Sequence, residues 1–389
     1  MKRIISTERV PIKLWLEDIE PEAEKQAKNL ANLPFVFKHV AIMPDCHEGY
    51  GMPIGGVLAT KDVVIPNAVG VDIGCGMNAV RTSLEVIDRD DLKKIMGLIR
   101  KVVPVGFKHQ SMAQQESLMP EMHDVGRFKI IRQEYRSALH QLGTLGGGNH
   151  FIEIQKGSDG YIWIMVHSGS RNLGKTVAEY YNNLAEKLNE LWSSPVEKSK
   201  KLAYLPLGSN EGSDYIGEMT YCQQFAAANR KLMMRNIIDC FVQIVGESVR
   251  FDEAFDVAHN YARNENHFGS EVIIHRKGAT SARAGEIGII PGSQGSVSYI
   301  VDGLGNPESF MSCSHGAGRK MSRHKAQKSL NLKEVVKSLD SLGIIHGIRN
   351  IKDLDEAPGA YKNINEVMEN QKDLVKILVE LRPLAVIKG

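Results

Sequence analysis

Cysteine and histidine residues beside glycine-bearing turns limit most strongly how this chain can fold. Five of them are separated by 75, 17, 92 and 56 positions, in the order Cys75, His150, His167, His259 and His315. A lone histidine is more often a structural residue than a metal ligand, but four of them next to small, glycine or asparagine residues favour a shared role. Ligands so far apart exclude a zinc finger, whose ligands lie close together in sequence. The pattern therefore predicts one site that remote loops bring together.

Asp72 and Cys75 are three positions apart, so a carboxylate and a thiolate could share one ion in a tight turn. That pair of donors suits Mn, Zn or Fe better than Mg or Ca. Taken alone, the stretch is also explained by a turn aspartate and a buried structural cysteine, since free cysteine is commonly buried.

The stretch 146–153 places Asn149, His150 and Glu153 directly after three glycines. Glycine leaves backbone N–H groups accessible, so an anion or a base can approach closely. His167 ends an apolar run, and His315 lies in a second glycine turn. These positions indicate where functional side chains are presented by loops.

The overall composition excludes several classes of protein. The 389 residues contain 48 Lys+Arg and 46 Asp+Glu, a net charge of +2. This balance argues against a strongly basic protein that coats nucleic acid. Five cysteines, an odd number, do not form a disulfide framework and indicate a reducing compartment. The first 20 residues lack the apolar run of a signal peptide, and no window approaches 18 apolar residues. We therefore expect a cytoplasmic protein without a membrane segment.

Hydrophobic periodicity predicts an α+β fold. Runs rich in β-branched residues predict strands at 39–43, 62–66, 161–167 and 297–301. Spacings of three and four predict helices at 175–192, 217–248 and 362–381. Because strands and helices do not alternate regularly, a doubly wound sheet is not indicated. We expect a single large domain of mixed β-sheets flanked by helices.

Residues 169–176 (GSRNLGKT) match the GxxxxGK[ST] pattern of a phosphate-binding P-loop, between a predicted strand and a predicted helix. The βαβ alternation of P-loop enzymes is not visible around the match. The alternative, which we favour, is that Arg171 contacts a phosphate and that 174–176 begin an ordinary helix.

Charge is distributed unevenly near His315. From Ser309 to Lys333 no acidic residue occurs, whereas six basic residues do: Arg319, Lys320, Arg323, Lys325, Lys328 and Lys333. Arg276, Lys277 and Arg283 form a second basic segment. Most charge runs are solvated helix faces. The functional interpretation is a track for a polyanion that leads to the site.

Eight stretches across nearly the whole chain resemble the RtcB family of RNA ligases. They are MPDCHEGYGMPIGG (43–56), VGVDIGCGMNAVR (69–81), LGTLGGGNHFIEI (142–154), HSGSRNLG (167–174), HNYA (259–262), RKGATSARAGEIGIIPGS (276–293), CSHGAGRKMSR (313–323) and IKG (387–389). The resemblance implies an RtcB-like fold over residues 1–389 and a ligase that uses GTP and two Mn²⁺ ions.

The resemblance also implies roles for individual residues. The implied metal ligands are Asp72, Cys75 (bridging both ions), His150, His167 and His259. His315 is similar to the nucleophile that takes GMP as a phosphoramidate, Asp45 to the aspartate that orients it, and Arg171 and Arg319 to phosphate or RNA contacts. The implied guanylate contacts are Asn149, His150, Phe151, Ile152, Glu153, His259, Asn260, Pro291, Gly292, Ser293, Gln294, Ser298, His315, Gly316, Ala317, Gly318 and Lys388.

The implied substrates are RNA 3′-phosphate or 2′,3′-cyclic phosphate ends and RNA 5′-hydroxyl ends, and the need for an activating protein is left open. Segments 104–140 and 193–216 do not match the family strings, and we expect them to shape the RNA entrance. Cys46 and Cys313 are interpreted as structural. Two other hypotheses remain: a metal-dependent phosphoesterase that only opens cyclic phosphates, and an RNA-damage sensor with a vestigial site.

Overall fold

The computed structural model describes residues 1–121 and 126–389. Those ranges contain seventeen strands: β1 (Arg3–Ile5), β2 (Ile12–Leu14), β3 (Val36–Tyr50), β4 (Met52–Thr60), β5 (Val63–Val64), β6 (Gly76–Arg81), β7 (Phe151–Gly157), β8 (Ile162–Ser168), β9 (Leu205–Pro206), β10 (Phe255–Ala258), β11 (Asn260–His267), β12 (Ser270–Lys277), β13 (Ala279–Ser281), β14 (Ile287–Ile290), β15 (Ser298–Gly303), β16 (Ser312–Ser314) and β17 (Val375–Lys388).

The same ranges contain nine α-helices: α1 (Pro21–Ala31), α2 (Pro66–Val69), α3 (Arg89–Val102), α4 (Lys129–Gln141), α5 (Arg171–Leu191), α6 (Asn210–Val245), α7 (Arg323–Ser329), α8 (Leu332–Ser341) and α9 (Ile364–Asn370). Short 3₁₀ turns lie at Glu116–Leu118, Lys198–Lys200, Pro307–Ser309, Ile351–Glu356 and Pro358–Ala360.

Two large sheets organise the fold. One has the strand order β1-β2-β3-β4-β12-β11, and the other has the order β10-β6-β8-β7-β17-β15-β14. In the described parts of the chain, neighbouring strands of both sheets are antiparallel, except for the parallel pair β2 and β3. Two-stranded sheets, β13-β16 and β5-β9, complete the arrangement. The expected α+β class with mixed sheets and flanking helices is confirmed.

The hydrophobic core is divided among layers. Between the two large sheets, Met43 and Val57 pack with Ile290 and Val301. On the outer face of the seven-stranded sheet, Ile152, Ile164 and Val166 meet residues of α3 and α6, including Ile99 and Phe241. Burial of each such side chain contributes about 1.5–3 kcal/mol. The sheet that carries several predicted site residues is therefore held rigidly from both faces.

Most of the predicted elements are confirmed, but the C-terminal helix is wrong. Residues 364–370 form the short helix α9, and Val375–Lys388 is a strand that pairs with both β15 and β7. The apolar spacing suits a helix and a strand equally well at Leu374, Ile377, Leu378 and Leu381. Pairing with a strand on each side therefore decides that the segment is a strand. The run 62–66 is also only partly a strand, because Pro66 begins helix α2.

The P-loop alternative is excluded by the local structure. Helix α5 already begins at Arg171, so Gly174, Lys175 and Thr176 lie inside it rather than at the end of a phosphate-binding loop. The Lys175 ammonium pairs with the exposed Glu179 carboxylate at 3.7 Å. The preceding strand β8 has only antiparallel neighbours. A P-loop requires a parallel βαβ unit.

A search of the described residues found no helix with the length and apolar character needed to cross a bilayer.

Candidate active site

Five side chains from four separate stretches of the sequence converge on one point. The Cys75 Sγ lies 3.4 Å from His150 Nε2 and 3.2 Å from His167 Nε2. His150 Nε2 is 3.2 Å from Asp72 Oδ2, and His167 Nε2 is 3.4 Å from His259 Nε2. The donors form two triads, Asp72-Cys75-His150 and Cys75-His167-His259, that share Cys75. The predicted assembly from remote loops is confirmed for these five residues.

Strand order in the seven-stranded sheet explains this convergence. Cys75 immediately precedes β6, His150 precedes β7, His259 follows β10, and His167 lies near the end of β8. The strands β10, β6, β8 and β7 are consecutive neighbours. Because these neighbours are antiparallel, the starts of β6 and β7 and the ends of β8 and β10 meet at one edge of the sheet.

Hydrogen bonds fix the histidine rings of this cluster. The Nδ1 of His150 is 3.0 Å from the Leu145 carbonyl oxygen, and the Nδ1 of His167 is 3.1 Å from the Asn149 carbonyl oxygen. An Nδ1–H donated to a carbonyl leaves the Nε2 lone pair free for a metal. Burial lowers the pKa of His167 and of His259 well below the ordinary value, so both rings are neutral.

The pKa values of the two acidic donors are shifted in opposite directions. Burial alone would raise the pKa of Asp72, but the hydrogen bond and charge of His150 hold it well below its usual range. Burial and the Asp72 carboxylate raise the pKa of the Cys75 thiol well above its ordinary value. A cation bound between them would displace the thiol proton, as metal binding to cysteine does.

Two consecutive residues of α6 brace the loops that carry these ligands. The fully buried Arg230 bonds both Asp256 carboxylate oxygens at 2.6 Å and donates to the carbonyls of Gly74 (2.9 Å) and Ser168 (2.8 Å). The Asn229 carboxamide bonds Gly143, Thr144, Ser168 and Gly169. The turns before Cys75 and after His167 are thereby tied to one helix.

His315 stands next to this cluster and is held by Asp45. Its Nδ1 is 2.6 Å from Asp45 Oδ2, and its backbone N–H donates to the same oxygen at 3.2 Å. Asp45 is fully buried in β3, and the ring of His315 lies 4.9 Å from the ring of His259. The Nε2 of His315 is therefore left free of Asp45 and beside the cluster.

A cavity opens beside His315 and contains most of the predicted nucleotide contacts. Of the predicted residues, those that line it are Asn149, Phe151, Glu153, His167, Pro291, Gly292, Ser293, Gln294, His315, Gly316, Ala317, Gly318, Arg319 and Lys388. Burial raises the pKa of Glu153 to about 8, so its carboxyl is largely protonated at neutral pH. Burial lowers the pKa of Lys388.

Other predicted contacts lie around the cavity rather than in its wall. The Ser298 hydroxyl accepts a bond from the Gly292 N–H at 3.1 Å and so supports the turn 291–294. The Asn260 carboxamide donates to the Asp72 carbonyl at 3.0 Å, beside the metal-ligand cluster. The side chain of Ile152 packs in the core on the other face of the sheet. The roles implied for these residues stay predictions.

The two predicted arginines have different surroundings. Arg171 is partly buried behind the glycine loop, with Nη1 3.2 Å from His150 Nδ1, and its buried Nε–H has no protein partner in the described structure. A Cβ at Gly146 would overlap the Arg171 guanidinium, so this close approach requires glycine. Arg319 bonds the Glu356 carboxylate at 3.0 Å and the Asp355 carbonyl at 2.6 Å.

Glu356 is the main functional position that sequence reasoning missed. Its buried carboxylate bonds Arg319, Arg323 (3.1 Å) and the Tyr361 hydroxyl, and it pairs with Lys388 at 3.5 Å. Burial alone would raise its pKa, but Lys388 and its other partners lower the pKa below the usual value. Residues 351–356 lie outside every family-like string, so no sequence signal pointed to them.

Comparisons with known proteins agree with this geometry. The family model described as "tRNA-splicing ligase RtcB" matches residues 26–137 and 122–389. The chain is 40% identical to the RNA-splicing ligase RtcB of Escherichia coli K12, over 99% of each chain. It is 33% identical to the tRNA-splicing ligase RtcB of Nanoarchaeum equitans and 31% identical to that of Thermococcus kodakarensis, in each case over 98% of this chain and 95% of the relative.

Proposed function

The chain belongs to the RtcB family, and from this premise we propose that it is an RNA ligase of splicing or repair. It joins RNA 3′-phosphate or 2′,3′-cyclic phosphate ends to 5′-hydroxyl ends and consumes GTP. The observation that carries the proposal is His315, oriented by Asp45 at 2.6 Å, between a cluster of metal-ligand types and a cavity lined by most of the predicted guanylate contacts.

Two Mn²⁺ ions would be held by the two triads, and Cys75 would be a ligand in both. One triad offers a carboxylate, a thiolate and an imidazole, and the other offers a thiolate and two imidazoles. Mixed donors of this kind suit Mn, Zn or Fe better than Mg. Bound there, the ions would act as Lewis acids towards phosphoryl oxygens.

His315 is proposed to become covalently guanylylated. With its Nδ1–H donated to Asp45, the neutral ring presents the Nε2 lone pair to the α-phosphorus of GTP. An Nε2–phosphorus bond forms, the bond to the pyrophosphate oxygen breaks, and pyrophosphate leaves. Asp45 stabilises the charge that develops on the ring, because the carboxylate is fully buried and close.

Two later steps complete the proposed joining reaction. An oxygen of the RNA 3′-phosphate attacks the histidine-bound phosphorus, so the guanylate passes to the RNA end and the Nε2 is released. The 5′-hydroxyl oxygen of the second RNA then attacks the 3′-phosphorus, and GMP leaves. The guanidinium groups of Arg171 and Arg319, one beside His150 and one in the cavity wall, are suited to neutralise the phosphates involved.

The guanine is proposed to bind deeper in the cavity. Glu153 is a buried and Lys388 a partly buried polar group of its wall, and a carboxyl and an ammonium together can bond the donor and acceptor edge of a purine. A site with buried polar groups of this kind discriminates strongly against bases that leave them unpaired.

The RNA is proposed to enter across the basic stretch 309–333 and the segments that differ from the family strings. Within 104–140, the Gly106 N–H donates to the Gly146 carbonyl at 2.8 Å, which places that segment against the glycine loop. Residues 122–125 of this segment lie outside the described residues. In 193–216, the Lys201 carbonyl accepts from Asn67 at 2.9 Å.

Labelled GTP tests the proposal directly. With Mn²⁺ and GTP labelled at the α-phosphorus, we expect a covalent guanylate that is labile in acid and stable in alkali, as a phosphoramidate is. The label should disappear in His315→Ala and persist in His324→Ala, an exposed histidine of α7 that serves as the matched control. Label in His315→Ala would contradict the nucleophile assignment.

A second assay separates ligation from the two other hypotheses. RNAs with 3′-phosphate and 5′-hydroxyl ends should be sealed by the wild-type protein. Opening of a 2′,3′-cyclic phosphate without sealing would instead indicate a phosphoesterase. Failure to take up Mn²⁺ would indicate a sensor with a vestigial site.

A further inference from the structure

A second cavity adjoins the cavity beside His315. Gln294, Glu356 and Lys388 line both of them, and Gly148 of the glycine loop lines the second. The second cavity has a volume of about 510 Å³. The second cavity therefore borders the first at these three shared residues.

Besides Lys388, three cationic side chains line the second cavity: Arg100 in the last turn of α3, Arg349, and Lys352 in the 3₁₀ turn Ile351–Glu356. In the described structure, Arg349 and Lys352 make hydrogen bonds only through their backbone groups, and none of the three side chains has an ion-pair partner. Burial and the charge of Arg349 lower the pKa of Arg100, so the two guanidinium groups lie near each other. Two like charges in a cavity form a site for an anion.

The acidic residues of this cavity do not cancel that charge. The Asp353 carboxylate accepts the backbone N–H groups of Arg349 (2.8 Å) and Asn350 (3.0 Å) at the start of the 3₁₀ turn. Glu356 is already bonded to the cations of the first cavity. Of the acidic residues that line this cavity, only Asp355 has a carboxylate left to offset the three cations.

The walls of the cavity are already in place in the protein alone. The Ile345 N–H donates to the Leu384 carbonyl at 2.9 Å, and the Val386 N–H donates to the Ile345 carbonyl at 2.8 Å. These bonds attach the segment before Arg349 to β17, the strand that also carries Lys388. The Arg100 guanidinium lies beside Gly347, where the absence of a side chain leaves it room. Binding of an anion here therefore requires little ordering of the backbone.

We propose that the second cavity binds backbone phosphates of the RNA strand whose end is being joined, with Arg100 and Arg349 as the contacts. The inference rests on the proposed function and deepens it. A polynucleotide carries phosphates at its reacting end and at the nucleotides before it, so it can occupy both cavities at once. Arg319 and Arg323 line the first cavity, and both bond Glu356, which lines both cavities.

Binding of a single-stranded RNA that ends in a 3′-phosphate tests the site. Fluorescence anisotropy without GTP should show an affinity for Arg100→Gln/Arg349→Gln that is roughly tenfold lower at about 0.15 M salt, and a salt slope smaller by about 1.4, as expected for two lost phosphate contacts. Lys101→Ala is the matched control, because Lys101 is a neighbouring exposed cation of α3 that does not line the cavity. Arg100→Lys/Arg349→Lys keeps both charges and should recover most of the affinity.

Guanylylation provides the second arm of the experiment, since it needs GTP but no RNA. The double Gln variant should be labelled at the wild-type GTP concentration. An RNA affinity equal to that of the wild type would overturn the inference. If the variant also required more GTP for labelling, the cavity would be assigned to nucleotide phosphates instead. If the wild-type protein takes no label, the proposed function fails, while the anisotropy still decides whether the cavity binds RNA.

Discussion

The Nδ1 of His315 and the Oδ2 of Asp45 are 2.6 Å apart, although the two residues lie 270 positions apart in the chain. The same oxygen also accepts the His315 backbone N–H. One buried carboxylate thus fixes both the ring and the main chain of the proposed nucleophile. This pair gives the site a single orientation before any ligand binds.

Asp45→Asn should abolish most guanylylation without unfolding the protein. An amide in place of the carboxylate no longer stabilises the charged ring and permits the wrong tautomer, a change that costs about 10⁴-fold in a Ser–His–Asp triad. We expect a loss of at least roughly 10²-fold in the single-turnover rate of labelling. Circular dichroism and thermal melting serve as the control for folding. A rate within about twofold of wild type would contradict the orienting role.

Gly318→Ala should separate steric fit from backbone strain. Gly318 has φ +71°, and a Cβ there would lie 2.1 Å from the Asp45 carbonyl oxygen. Gly343 has φ +74° and no heavy atom within 4 Å of such a Cβ, so Gly343→Ala is the matched control. Both variants should lose about 1–2 kcal/mol of unfolding free energy from the left-handed backbone. Only Gly318→Ala should also lose labelling, and equal labelling of both would refute the steric argument.

Cys75→Ser should remove both metal ions, because both triads include its sulfur. Loss of a residue that only hydrogen-bonds a metal ligand costs about 10- to 100-fold in metal affinity. Loss of Cys75, a ligand in both triads, should therefore cost at least about 100-fold. Mn²⁺ bound per chain after gel filtration measures the effect. Cys240→Ser, at a buried cysteine of α6, should bind as the wild type does. Retention of one tightly bound ion in Cys75→Ser would exclude a bridging thiolate.

Asp256→Ala should destabilise the fold more than the double variant Arg230→Met/Asp256→Ala. Removal of the carboxylate leaves the fully buried Arg230 guanidinium without its partner, which costs about 3–5 kcal/mol, whereas removal of both charges costs less. Urea unfolding measures the difference. Both variants should also bind Mn²⁺ more weakly. The double variant loses the Arg230 guanidinium that bonds the Gly74 and Ser168 carbonyls, and the single variant loses the carboxylate that pairs with this guanidinium. Equal stabilities would show that the pair is not coupled.

The unfolding free energy of Glu153→Gln, relative to that of the wild type, should increase as pH rises from about 5 to about 8. The pKa of Glu153 is raised by burial from 4.5 to about 8. In that window the unfolded chain ionises this group while the folded state retains the proton, so wild-type stability falls by up to about 1.4 kcal/mol per pH unit. Denaturant unfolding at both pH values measures the change. Glu366→Gln, at an exposed position of α9, should show no such trend.

The sequence was most informative where chemistry and local pattern coincided. Helix α5 followed from spacings of three and four, and strand β8 followed from a run of β-branched and aromatic residues. The C-terminal strand β17 could not be predicted in this way, because its apolar spacing suits a helix too and its pairing with β7 and β15 is a long-range event. Glu356 was missed for the same reason, since its three charged partners, Arg319, Arg323 and Lys388, come from other parts of the chain.

By itself, the sequence indicated which residues are candidates for the chemistry: Asp72, Cys75 and the histidines are recognisable by type and by their glycine surroundings. Only the tertiary structure decided that the donors form two triads that share one sulfur, and that His315 is fixed by Asp45. The tertiary structure also placed a second, cationic cavity next to the cavity beside His315. The physical reason is that residue type limits which bonds a side chain can form, whereas distances between remote residues depend on strand order and packing. In this fold, the edge where β10, β6, β8 and β7 meet supplies those distances.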